Sequence, residues 1–518
     1  MALAVLNLFL FSAGGLLLLL LLLLVRFCNL NYMMRTKRGK QPPGPTQLPV
    51  IGNLHLLTNY DLLHRTLWLL SKKHGQLMYL KLGQVDVVVA SSARMAREVM
   101  NSHDLEFSDR STDFAQKKLS YDLHDIAFTS YGREWRELRK LFILELLSAK
   151  KMQFSRFVLD EMIDGMICSL SGSSSSVKSV NLTNWLKIFT KDLLCKIGFG
   201  AGFQWEDEEE QRRFHRSFHE TQVLLGGFYV SDVLPWLGWI DTVTGLKSRL
   251  RKNFVDVDYF YEKVIALHLD RINRGVTGEE DFVDVLLRSV KELNLSRNHV
   301  KGLLMDILHG GADSSRVTIE WAMSELMRNP SAMKKVTEEI RGVVRSKGFR
   351  VEETHLPHLE YLHFVVKETL RLHPPGPLLI PRENKHHSQI NGYDIFPKTT
   401  VFVNALAISL DPDSWDDPEE FKPERFKNND IDFRGPEFQL LPFGAGRRGC
   451  PGMNFGLRTV ELALANLLYA FDWELPPGMR KEDFSMEECY GIVLQRKVPL
   501  CLVPRKLKVH VHGKEEQY

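Results

Sequence analysis

Cysteine is scarce in this chain. Six stand in 518 residues, at positions 28, 168, 195, 450, 489 and 501. No two form a Cys-x-x-Cys pair, which excludes zinc ribbons, thioredoxin-like redox motifs and a disulfide scaffold. Net charge is nearly absent: 67 basic residues against 64 acidic ones leave +3. No global field draws in nucleic acid or acidic substrates. Internal repeats are missing, and the composition is not that of disordered or collagenous proteins. After the amino-terminal segment there is no second long apolar run. What remains is ordinary: 44% hydrophobic, 25% charged and 10% aromatic residues, enough to bury a large core.

The apolar run that is present covers residues 2–25, 24 positions without a charge. As a helix it reaches about 36 Å, against a hydrocarbon core of about 30 Å. No basic residue precedes it and no small-residue cleavage site follows, so it reads as a transmembrane anchor rather than a signal peptide. Arg26, Arg35, Lys37, Arg38 and Lys40 come next, with no acid among them. Positive charge stays on the cytosolic side, which would leave the body of the chain in the cytosol. Pro42-Pro43-Gly44-Pro45 forms a stiff, non-helical hinge. The expected organisation is an anchor at 1–25, a basic and proline-rich hinge at 26–45, one body over 46–505 and a charged, disordered tail at 506–518.

Within the body, Gln76–Ala90 reads as two short strands around Gly83-Gln84. Helical periodicity dominates elsewhere, at about 93–101, 133–147, 153–170, 250–273, 298–328, 331–346, 358–372 and 453–470. Strand signals recur near 388–404 and 488–504. Ser171–Ser176 and the acidic run Glu206–Glu210 read as solvated loops. No linker separates two cores, so the fold class expected is a single, mainly α domain with a small β portion.

The most informative stretch is Pro442-Phe443-Gly444-Ala445-Gly446-Arg447-Arg448-Gly449-Cys450-Pro451-Gly452. Gly444-x-Gly446-x-x-Gly449 imitates a dinucleotide fingerprint, but Pro451 and Gly452 intervene before a helix can start. Cys450 suggests a different chemistry. Glycines let backbone amides approach its sulfur, the following helix points its positive end there, and Arg448 adds charge. All three favour thiolate. A lone thiolate without companion ligands at zinc or iron–sulfur spacing suits an axial haem ligand.

Phe443-x-x-Gly446-x-Arg448-x-Cys450-x-Gly452 resembles the haem-binding loop of the cytochrome P-450 superfamily at every fixed position. The resemblance implies that Cys450 is the axial ligand of the haem iron. Phe443 would pack beside the sulfur, Arg448 would pair with a haem propionate, and Gly446 and Gly452 would shape the loop. Other segments agree in kind and order. Glu368-x-x-Arg371 and Pro423-Glu424-Arg425-Phe426 resemble the family's ion network, which makes Glu368, Arg371 and Arg425 structural. Trp135-x-x-x-Arg139 resembles its propionate-holding pair, with Arg382 a weaker third candidate. Gly310-Gly311-Ala312-Asp313-Ser314-Ser315 resembles the oxygen-activating segment, so Asp313 and Ser314 would relay protons. Serine departs there from the usual threonine. Two adjacent glycines also suggest local widening of that helix, freeing carbonyls for a ligand or water.

The chain as a whole looks most like microsomal members of the plant specialised-metabolism branch. That implies a membrane-bound haem-thiolate monooxygenase of the endoplasmic reticulum, with its catalytic body cytosolic. It would insert one oxygen atom from O₂ into a lipophilic small molecule such as a terpenoid, alkaloid or phenolic. Electrons would come from NADPH through a cytochrome P-450 reductase, with cytochrome b5 as a further donor; no nucleic-acid partner is implied. Substrate contacts are expected from the 105–125 loop, Met305, His309, Gly310 and Ala312, from Leu378, Leu379 and Ile380, and from Ile492 and Val493. Two alternatives stay open: a haem-thiolate dehydratase or isomerase that does not activate O₂, and a non-enzymatic haem-binding sensor.

Overall fold

The computed structural model describes residues 39–57, 62–147, 149–173, 179–200, 203–275, 280–344, 350–489, 491–506, 509–511 and 514–516. The anchor at 1–25 and most of the basic stretch lie outside the described residues. Helices dominate, as the periodicity predicts. Those that build the site are α1 (Arg133–Leu141), α2 (Leu182–Phe199), α3 (Glu208–Leu225), α4 (Leu246–Asn273), α5 (Arg297–Arg328), α6 (Glu360–Leu372) and α7 (Met453–Ala470).

The 32-residue α5 is buried around most of its circumference. A helix that is covered on all sides belongs at the centre of a fold. It packs against α2 and α7, and α6 joins them. Their apolar faces merge into the largest core cluster, which includes Leu194, Leu308, Ala312, Ile319, Leu462 and Leu467.

β-structure is minor and lies to one side. Leu77–Leu82 and Val85–Ala90 form an antiparallel hairpin through Gly83, whose φ of 57° suits a residue without Cβ. Val85–Ala90 then pairs in parallel with Thr400–Val403, and Arg382–Glu383 closes the four-stranded sheet. A second sheet joins Val180–Asn181, Cys501–Lys506 and Phe471–Glu474.

Three local readings change. Glu208–Glu210 form the acidic first turn of α3, with Asp207 accepting the Glu210 amide as N-cap, rather than a loop. Negative charge is stabilised at a helix start, so an acidic run can open a helix. Residues 171–173 complete the helix Ala149–Ser173. In the tail, Val509–Val511 pairs with Lys514–Glu516.

Candidate functional site

Cys450 sits two residues before α7, whose N-cap is Gly452. Its own N–H donates to the Phe443 carbonyl at 2.9 Å, which closes the loop. Phe443 packs edge-on against Phe433 with ring centres 5.2 Å apart. The sulfur takes a hydrogen bond from the Gly452 amide and feels the charge of Arg139. Arg139, rather than Arg448, is therefore the guanidinium that acts on it. Burial outweighs both and pushes the thiol up from its usual value. This reverses the sign expected from the loop alone: in the metal-free protein desolvation favours the thiol, and a bound metal ion is what would make thiolate dominant. Cys450 is nevertheless exposed. An accessible residue whose sulfur is nonetheless desolvated sits in a recess rather than on a convex surface.

Four guanidiniums gather around the loop. Arg448 is buried and donates to the carbonyls of Ser108 at 2.8 Å, Ile126 at 3.3 Å and Thr129 at 2.6 Å. It also lies over the Trp135 ring, 4.5 Å from its centre. Arg382 pairs with Asp104 at 2.8 Å and donates to the Ala445 carbonyl. Arg139 donates to the Gly449 carbonyl. Arg110, which sequence reasoning missed, donates to Ala127 and Ile380 carbonyls at 2.9 and 2.7 Å. Burial, then Arg448 and Arg382, hold Arg110 far below its ordinary value. Arg448 is brought down to about 10, by burial first and Arg382 second. Asp104, Asp109 and Asp125 offset only part of this charge. Buried cations that depress one another call for an anionic partner. No motif surrounds Arg110; only the tertiary neighbourhood reveals it.

Trp135 Nε1 donates to the Ile126 carbonyl at 3.0 Å. Its buried N–H is thereby satisfied within the protein, so the indole orients the two arginines stacked beside it, Arg139 and Arg448.

On α5, the expected widening is absent: Arg297–Arg328 is α-helical throughout. The Ser314 hydroxyl donates to the Gly310 carbonyl at 2.7 Å, so that carbonyl already has a partner. Gly310 is exposed although it lies midway along the central helix, and a Cβ there would meet no atom within 4 Å. Gly310 and Ser314 are four apart and share one face. Gly311 instead faces α2, where a Cβ would come within 2.8 Å of Leu194. Asp313 is buried and bonds Arg316 at 2.9 Å; Arg316 also holds Glu320. Burial raises the Asp313 carboxyl, but Arg316 and Lys191 outweigh it and hold the group below its ordinary range.

The expected substrate residues are divided. Met305 and Ala312 are buried in the core. His309 stacks on Phe218 at 4.0 Å and has Gln222 at its Nδ1, and burial brings it down to about 3. It is a packed, neutral imidazole. Leu378 packs under the four-stranded sheet, Leu379 against a separate sheet-side cluster, and Ile380 against the main core. The three therefore do not share one wall. Ile492 also borders the main core, Val493 is half-buried beside it, and the Ile492 amide lies against Gly226 after α3.

The ion network assembles at the end of α6. Arg371 and Glu368, both fully buried, are joined by two bonds of 2.7 and 2.8 Å. Arg425 donates to Glu368 at 2.8 Å, and Arg371 ties down the Ser409, Pro418 and Glu420 carbonyls.

These features fit a haem: a sulfur with an amide donor, a guanidinium cluster only partly offset by acids, suited to two propionates, and a glycine-bearing helix face beside open space. The fold and loop thus define a haem-thiolate protein. A family model described as Cytochrome P450 matches residues 42–502. Strychnine-11-hydroxylase of Strychnos nux-vomica is 45% identical over 487 residues, covering 92% of this chain and 94% of its own. Cytochrome P450 71A1 of Persea americana is 44% identical over 462 residues, 88% of this chain and 91% of its own. A zebra fish cytochrome P450 structure with progesterone superposes with a TM-score of 0.72 at 24% identity, over 85% of this chain and 99% of that one. The chain belongs to the cytochrome P450 family and is a haem-thiolate monooxygenase with plant relatives.

Proposed function

We propose that this chain inserts one oxygen atom from O₂ into a lipophilic plant metabolite of terpenoid, alkaloid or phenolic type, with Cys450 as the iron ligand. The observation that carries the reading is Cys450, an accessible residue whose sulfur is bonded by the Gly452 amide at the head of α7. Bound haem supplies oxygen activation, which its thiolate ligand favours. The protein's own groups do the rest. Arg110, Arg139, Arg382 and Arg448 would hold the propionates, and Trp135 orients Arg139 and Arg448. Phe443, Gly446 and Gly452 keep the loop closed around the sulfur.

Ser314 uses its proton on the Gly310 carbonyl and keeps lone pairs to accept one from water. Asp313, held below its ordinary range by Arg316, would have to take up a proton from water before handing it on. Substrate binds along the Gly310–Ser314 face, with Ile380 and Ile492 as apolar borders. Strychnine-11-hydroxylase acts, by its name, on an alkaloid, which supports that class here.

Electrons arrive from NADPH through a membrane-bound reductase, with cytochrome b5 as a second donor. Residues 1–25 anchor the chain in the endoplasmic reticulum membrane with the body cytosolic. The uncharged run at 2–25 and the basic residues after it support this. Among the described residues no single helix is long and apolar enough to cross a membrane.

The test is a spectral binding screen of lipophilic metabolites, followed by product analysis with reductase, NADPH and O₂. Oxygenated product that requires NADPH supports the reading. Product formed without reductase would favour the dehydratase or isomerase alternative, which the engaged Ser314 hydroxyl motivates.

A further inference from the structure

Away from the cysteine loop, two imidazoles and a carboxylate converge at the surface. His124 Nδ1 and His299 Nε2 each lie 3.0 Å from Glu134 Oε1. The two rings are 4.2 Å apart between centres, and the three donor atoms all lie within 4.8 Å of one another. They come from three elements: the loop before α1, the first turn of α1 and the first turn of α5. We propose that His124, Glu134 and His299 form a binding site for one divalent transition-metal ion, with zinc the best fit.

Two of the three donor separations lie close to what the ion needs, and the third is within 4.8 Å. Zinc bonds imidazole nitrogen and carboxylate oxygen at about 2.0–2.2 Å, so tetrahedral ligand atoms stand about 3.3 Å apart. The two 3.0 Å separations need only a small adjustment. Two nitrogens and one oxygen suit zinc, copper or nickel, and not the all-oxygen shells of calcium or magnesium. Three protein ligands leave a position for water. Solvent reaches it, because the Glu134 side chain is 48% exposed and that of His124 is 32% exposed. No lysine or arginine pairs with Glu134 among the described residues; its partners are the two imidazoles. A second cluster, His268, Asp281 and Asp284, lacks that property: Arg271 bonds both aspartates.

The ligands are also held in place before any ion arrives. Gly302 follows His299 by one turn of α5, and a Cβ there would overlap the His124 carbonyl. Glycine alone lets the loop lie this close. One turn further, Asp306 accepts the Ile126 amide at 2.7 Å. The loop is thus fastened to α5 at two successive turns. The outer nitrogen of His299, Nδ1, accepts the Ser296 amide at 3.0 Å and lies 2.7 Å from the Ser296 hydroxyl; when Nε2 binds a metal the ring proton moves to Nδ1, where the hydroxyl can accept it in place of the amide bond. An ion here would staple α1, which carries Trp135 and Arg139, to the central helix.

The test uses the haem-loaded full chain in detergent, free of tag histidines and stripped with chelator. Zinc chloride is titrated by calorimetry, and the unfolding temperature is read with and without zinc. The proposal expects one ion per chain at this site. Affinity should drop at least about tenfold in His124→Ala, His299→Ala and the near-isosteric Glu134→Gln. Zinc should raise the unfolding temperature of the unaltered chain and not of these variants. The haem spectrum of each variant reports whether it has folded, and His386→Ala, an exposed histidine elsewhere, should bind as before. Absence of zinc binding to the unaltered chain, or equal binding by the folded variants, would overturn the proposal.

Discussion

Cys450 receives one amide and one guanidinium, and burial still raises its thiol. A sulfur so placed needs a metal ion to hold it as thiolate. Cys450→Ala should therefore abolish the ferrous–CO band of a thiolate-ligated haem, measured on the reduced protein; persistence of that band would assign the ligand elsewhere. Arg110 makes a separate case. Among the described residues it has only backbone carbonyls as hydrogen-bond partners, and burial, then three other arginines, Arg448, Arg382 and Arg139, depress it. Removing one propionate partner should weaken haem retention roughly tenfold, by analogy with outer-shell partners of metal sites. Arg110→Leu, followed by transfer of haem to an apo-globin acceptor, checks this, with the exposed Arg447→Leu as control. Arg110 was illegible in the sequence because it belongs to no recurring pattern. Gly446 was legible as a motif position, but its reason was not. Its φ is 67°, and a Cβ would come within 2.6 Å of the Asp104 carboxylate, a residue over three hundred positions away.

The element scale is where local chemistry was most readable. The hairpin at Leu77–Ala90 and the helices near 297–328 and 453–470 follow from period and turn residues. The acidic run before α3 was misread because charge clusters suit both solvated loops and helix starts, and only Asp207 acting as a cap separates the two. The helix α6 and the Pro423–Phe426 turn are joined through Glu368, which has no exposed surface. Glu368→Gln leaves Arg371 and Arg425 short of a buried counter-charge. The expected cost is about 3–5 kcal/mol, measured by chemical denaturation, and loss of haem should accompany it. A cost below about 1 kcal/mol would mean that water or another acid compensates. The α5 helix also departs from expectation, because the Ser314 hydroxyl satisfies the Gly310 carbonyl and removes any need for a wider turn.

Across the whole molecule, the two ends of the body are tied by one carboxylate. Glu488 accepts two bonds from Arg65, at 2.6 and 2.5 Å, and lies 3.1 Å from His64. Burial opposes its ionisation, but Arg65 and His64 bring it down to about 2. A carboxylate with a depressed folded value stabilises fully above its unfolded value and loses that contribution as pH falls through the folded one. Here the window runs from about pH 4.5 down to about 2. At neutral pH Glu488→Gln should cost about 2–3 kcal/mol, less than the full shift implies because Arg65 is 39% exposed. Melting curves of both proteins should converge as the pH drops through that window. A gap that stays constant with pH would assign the stabilisation to packing instead.

The amino-acid sequence alone determined the family, the order of its motifs, the cysteine and the mainly helical character, because each is written in residues a few positions apart. Only the tertiary structure decided which arginines crowd the site, that Arg139 rather than Arg448 acts on the sulfur, and that His124 and His299 meet at Glu134. Those facts depend on how segments some ten to more than three hundred residues apart pack against one another. Burial, which sets the sign of each charge effect, exists only once the core has closed.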